Sequence, residues 1–115
     1  MDLENMTMKQ IWDELSVVFK ENPEPLAGSD VTYAFDLSGD DGGQYGLKIV
    51  DGQAEMLYEG PSDYDCQLKM SVQNFKKLLG GNLNATSAFM MGRLKVDGKI
   101  GYALKLESII KKYDF

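Results

Sequence analysis

The sequence predicts a small α+β domain in which helices flank five short strands. Apolar residues fall at helical spacing near both ends of the chain and alternate with polar ones in the middle. The links between the alternating runs are short, which favours antiparallel neighbours for the first three strands. At 115 residues the chain reads as one domain, residues 1–115, long enough to bury most of its apolar surface. With 43% hydrophobic and 26% charged residues it has a globular balance and not a disordered one.

Residues 1–6 are expected to be loose. Thr7 opens the first helix as an N-cap, and Gln10 completes a capping box by reaching back to the Thr7 N–H. Met8, Ile11, Trp12, Leu15, Val18 and Phe19 form its apolar stripe, with Trp12 assigned to the core. Asn22-Pro23-Glu24-Pro25 stops it near Glu21. Val31 to Leu37, Tyr45 to Ile49, Ala54 to Glu59 and Tyr64 to Met70 then read as four strands, with Asp51-Gly52 as a hairpin turn. Ser71 caps a helix over 72–79, which Gly80-Gly81 ends in a left-handed turn. Asn84 caps a short helix from Ala85 to Met91, stopped by Gly92. Arg93 to Val96 is the fifth strand, with Leu94 and Val96 inward. Asp97-Gly98 turns the chain into a last helix from about Ile100 to Tyr113, with its stripe on Leu106, Ile109, Ile110 and Tyr113; close packing is expected at Gly101.

Several chemistries lack their residues. With no histidine there is no Ser-His-Asp triad and no zinc site of the usual kind, and one cysteine cannot hold a cluster. Cys66 is expected to be a small core residue, in keeping with a reducing compartment. Asp36, Ser38, Asp40 and Asp41 resemble a calcium loop, but Asp41 stands where that loop needs glycine and no glutamate follows at the twelfth position. Gly92 to Ile100 has one residue too many for a phosphate loop and no Ser or Thr after Lys99. Asn5-Met6-Thr7 and Asn84-Ala85-Thr86 match the glycosylation pattern by chance, since no secretory signal precedes them. No catalytic residue, metal or cofactor is therefore assigned, and the chain is expected not to be an enzyme. It is also expected to be cytoplasmic.

The net charge of −6 disfavours nucleic acid. The charge is unevenly spread: residues 1–68 hold 15 acids and 3 bases, residues 69–115 hold 3 acids and 9 bases. Two readings follow. The halves fold together and partly neutralise, or the C-terminal half presents a basic rim to an anionic headgroup, a coenzyme A phosphate or a membrane surface.

The stretch from Ala88 to Leu106 carries a resemblance. Its Ala88-Phe89 pair, the Gly92-Arg93-Leu94-Lys95-Val96 run, the turn at Gly98 and Leu104 in the helix start resemble the C-terminal signature of the sterol carrier protein 2 (SCP-2) family. Upstream, Leu68-Lys69-Met70-Ser71 with Phe75, Leu78, Leu79, Gly81 and Leu83 is similar to that family's strand-to-helix passage. The resemblance implies a curved, five-stranded, mainly antiparallel sheet in the order 3-2-1-4-5, with helices covering one face. It implies a tunnel between sheet and helices for sterols, fatty acids, fatty acyl-CoA or other lipids. By position it makes Phe75, Leu79, Phe89, Met90, Leu94, Leu104 and Ile109 the tunnel lining. Met56 and Met70 join them from the alternation, as flexible gap-fillers among seven methionines. The expected function is a non-catalytic carrier for long apolar ligands, with transient membrane contact. The alternative is an accessory protein whose groove closes by dimerisation or against a lipid- or quinone-modifying enzyme.

Overall fold

A computed structural model describes residues 1–115. The elements are α1 (Met8–Glu21), β1 (Val31–Ser38), β2 (Gly43–Val50), β3 (Gln53–Leu57), β4 (Cys66–Ser71), α2 (Val72–Leu79), α3 (Ala85–Met90), β5 (Lys95–Gly98) and α4 (Ile100–Lys111). The strands form one sheet in the order β3-β2-β1-β4-β5, as the resemblance implies. All neighbours are antiparallel except β1 and β4, which run parallel.

The parallel pair needs a crossover, because β3 and β4 point the same way. Residues 58–65 supply it. Eight residues reach about 26 Å when extended, enough to return along one strand while passing two others. Pro61 crosses directly over Gly46 of β2, where a Cβ would come within 2.9 Å of the proline ring. Asp65 then locks the start of β4: its carboxylate accepts from the Thr32 N–H at 2.8 Å, and its own N–H donates to the Thr32 carbonyl at 2.9 Å.

Alternation puts one face of the sheet in the core. Tyr33 lies opposite Leu47 and Cys66, Phe35 opposite Leu68, and Leu37 opposite Met70, all of them buried. Met8, Ile11, Trp12, Leu15 and Phe19 of α1 pack into the same core, while Val18 is half-buried. The Thr7–Gln10 capping box is formed in both directions. Ser71 and Asn84 cap α2 and α3 through the Asn74 and Ser87 N–H groups. Gly92, at φ 76°, ends the short helix in the left-handed region.

Several boundaries differ from the expectation. Residues 3–5 are a 3₁₀ turn and Leu3 is buried, because Lys76 reaches across to the Glu4 and Met6 carbonyls. A second 3₁₀ turn, Glu24–Leu26, buries Leu26 where only a helix stop was read. The third strand ends at Leu57 and the fourth begins at Cys66, where the crossover takes over. The fifth strand is displaced towards the C-terminus, so that Asp97 and Gly98 are ladder residues opposite Gln67 and Cys66 and not a turn. Gly98 has φ 113° and sits so close to β4 that a Cβ would lie 2.5 Å from the Asp65 carbonyl oxygen. Gly101 faces open space, so close packing does not explain it.

Candidate functional site

The apolar core between sheet and helices is centred on Trp12. Its ring meets Phe35, Tyr45 and Phe75 at centroid distances of 5.5, 5.1 and 5.5 Å, and its Nε1–H donates to the Gly46 carbonyl at 3.1 Å. Phe35 meets Phe75 edge-on at 5.2 Å. Leucines and isoleucines from α2 and α4 close the space from the helical side.

The structure brings five of the nine expected lining residues into this one core. Met70, Phe75, Leu79, Leu94 and Ile109 are all buried in the same cluster. Met56 is half-buried on β3, opposite Leu47, and packs against the cluster's edge. Phe89, Met90 and Leu104 are not brought together with them: they are 42%, 78% and 38% exposed. The reason is helical phase. In α3 only Ala85 and Ala88 point inward, so Phe89 and Met90 face solvent. In α4 the inward positions are Ala103, Leu106, Glu107, Ile109 and Ile110, which puts Leu104 outside.

The α3 helix is thus fastened over the core mainly by small groups and hydrogen bonds. A Glu107 carboxylate oxygen accepts from the Ala85 N–H at 2.7 Å, although Glu107 is only 8% exposed. At the other end the Ala88 carbonyl accepts from the Arg93 and Leu94 N–H groups at 2.8 and 3.2 Å. Glu107 is a positioning residue that the sequence pattern did not single out. Its signal was there: it sits on the 103-106-107-110 stripe, where a carboxylate must find a partner.

A cavity of about 1040 Å³ opens elsewhere, between the N-terminal turn, the β1–β2 turn and α2. Asp40, Asp41, Gln73, Lys76 and Lys77 are among its walls, and none of the nine expected lining residues is. Met1, Leu3, Val72 and Phe115 also line it, so the basin is of mixed character. Asp41 serves the fold there. Its carboxylate accepts from the Met8 N–H at 2.6 Å, a second cap for α1 from a distant turn.

Two titratable groups of the core, Cys66 and Tyr33, are shifted towards their neutral forms. Burial pushes the Cys66 thiol up to about 11, helped by the negative charges of Asp97 and Asp65. Burial likewise raises Tyr33, whose hydroxyl donates to the Tyr102 carbonyl at 2.7 Å. No set of three His, Cys, Asp or Glu side chains is gathered that could hold a metal ion. The arrangement offers an apolar interior with hydrogen-bonded edges. No helix is long and apolar enough to cross a membrane.

Comparison with known proteins agrees with this geometry. The model of the SCP-2 sterol transfer family matches residues 14–111. The chain is 38% identical over 88 residues to hydroxysteroid dehydrogenase-like protein 2 of Bos taurus, covering 76% of this chain and 21% of that protein. It is 30% identical over 108 residues to sterol carrier protein 2 of Rattus norvegicus, covering 91% of this chain and 19% of that protein. The chain thus spans about a fifth of the length of these relatives. Among solved structures, apo sterol carrier protein 2 from Yarrowia lipolytica superposes with a TM-score of 0.68 at 27% identity, covering 88% of this chain and 87% of that one. With the family model matching residues 14–111, most of this chain, and the expected sheet order observed, the chain belongs to the SCP-2 sterol transfer family.

Proposed function

We propose that this domain is a non-catalytic carrier that takes a long apolar ligand, such as a fatty acid, fatty acyl-CoA or sterol, between the sheet and the α3–α4 pair. The observation that carries this reading is how α3 covers the core. Its inward face is two alanines, and its large side chains lie outside. Burial of an alanine contributes far less than the ~1.5–3 kcal/mol of a leucine or phenylalanine, so α3 is the cheapest cover to displace. The cluster that Ala85 and Ala88 join also holds Met70, Phe75, Leu79, Leu94 and Ile109, side chains that can repack around a guest. In this reading Met56 meets the far end of the ligand. Phe89 and Met90 turn inward onto it once α3 has moved, and Leu104 joins them only if α4 rotates as well.

Magnitudes set the expected affinity. Burying ten methylenes yields roughly 8 kcal/mol at ~0.8 each, and association costs of ~4–15 kcal/mol oppose it. The binding is therefore modest and tolerant of ligand shape. Solvent extraction of the purified protein followed by lipid mass spectrometry, with displacement of a fluorescent fatty acid alongside, tests the proposal. Co-purified lipid or saturable displacement is expected. Neither, across fatty acids, sterols and acyl-CoAs, contradicts it.

A further inference from the structure

Nine large apolar side chains of this protein are exposed, and five of them fall between residues 89 and 104: Phe89, Met90, Met91, Ile100 and Leu104. They sit on two helices that pack together and on the short passage between them. The same segment, extended to residue 105, carries Arg93, Lys95, Lys99 and Lys105 against one acid, Asp97, in a chain whose net charge is −6. Asp97 is already occupied, accepting from the Tyr64 hydroxyl at 2.6 Å. The four bases are exposed and none makes an ion pair, since the one salt bridge in the molecule joins Lys9 to Asp13 on α1. The acidic and basic halves therefore do not neutralise each other through direct pairs. The outer face of α1 offers no equivalent surface, because Lys9 and Lys20 there stand among Asp13, Glu14 and Glu21.

We infer that the α3–β5–α4 segment is a docking surface for an anionic lipid bilayer. Exposed Phe, Met, Ile and Leu insert at the depth of the headgroup boundary. Arg and Lys beside them keep their charges among the phosphates while their stems lie along the apolar layer. Charge complementarity favours this occupant over a second copy of this chain, whose own matching segment is equally basic. The surface includes α3, so docking would bring the proposed cover against the membrane from which a ligand is drawn. That last consequence rests on the carrier reading, and the docking itself does not.

Co-sedimentation of the full chain with phosphatidylcholine vesicles, with and without about 30% phosphatidylglycerol, tests it. Wild-type protein is expected to partition onto the anionic vesicles and to be released as salt rises. R93E/K105E should lose at least ~10-fold of that partitioning, since each base near the surface is worth roughly fivefold. M91S/I100S should weaken it on the same vesicles while leaving displacement of a fluorescent fatty acid in solution unchanged, because neither residue belongs to the proposed lining. Circular dichroism confirms that each variant is folded. Absence of binding to anionic vesicles overturns the inference, as does binding that both folded variants retain. A concentration-dependent dimer broken by M91S/I100S, with no vesicle binding, gives the surface to a second copy and overturns it too. Fatty-acid displacement without vesicle binding defeats the docking surface alone. Vesicle binding without displacement defeats the carrier reading alone.

Discussion

Asp41 shows how a single residue can act far from its place in the chain. It sits at φ 63° in the turn after β1, yet its carboxylate caps α1 at Met8. Asp41→Gly keeps the left-handed backbone comfortable and removes the cap, with the relief of backbone strain and the added freedom of the unfolded chain acting in opposite directions. The expected cost is about 1 kcal/mol, read as a Tm lower by roughly 3–6 °C. Cys66 makes the opposite point, a reactive group silenced by its surroundings. With its thiol pushed up to about 11, it should resist iodoacetamide at pH 8 in the native protein and react at once in denaturant. The folded thiol ionises above its ordinary 9.0, so the unfolded chain loses this proton first as pH rises. Its contribution to stability is intact below pH 9 and is lost as pH rises towards 11. Thermal melts across that window should show a shallower alkaline loss for Cys66→Ala than for the native protein.

At the scale of elements, the local signals were strong where the helices begin. Thr7, Ser71 and Asn84 each cap the helix that their spacing announces. The inner face of β1 was equally legible from its alternation. Less legible was anything set by distant contacts. Leu3 is buried because Lys76 draws in the N-terminal turn, a contact across 70 residues. The displacement of β5 towards Gly98 depends on the β4 backbone, which no pattern within residues 93–98 reveals. Nor does spacing show that α3 turns its alanines inward, because a six-residue helix is too short to display its own period. The fastening of α3 is a prediction at this scale. Glu107→Ala leaves the Ala85 N–H without its buried acceptor, at a cost of ~1–3 kcal/mol. Hydrogen exchange should then quicken across residues 85–94 while β1 and β4 stay protected. Uniform exchange across the fold would show that α3 is no separate unit.

Across the whole molecule, the parallel β1–β4 pair and the crossover at 58–65 place β5 and α4 at the β4 end of the sheet, opposite the β3 edge on which α1 packs, while α2 reaches α1 through the Phe75–Trp12 contact. Five expected lining residues therefore meet in one core, though they lie up to 39 positions apart between Met70 and Ile109. The family resemblance names these residues, Met70 apart, together as lining; periodicity alone shows only that each faces inward. The same topology leaves α3 with only two buried side chains, Ala85 and Ala88, and the basic, apolar segment exposed. The central claim is that the core beneath α3 accepts a long apolar chain. Methyl-labelled NMR of the Met, Leu and Ile side chains during titration with a long-chain fatty acid tests it most directly. Saturable shifts are expected at Met70, Leu79, Leu94 and Ile109, with Met56 following at the far edge. No saturable shift at those core methyls, or shifts confined to Met90, Met91 and Leu104 on the surface, would contradict it.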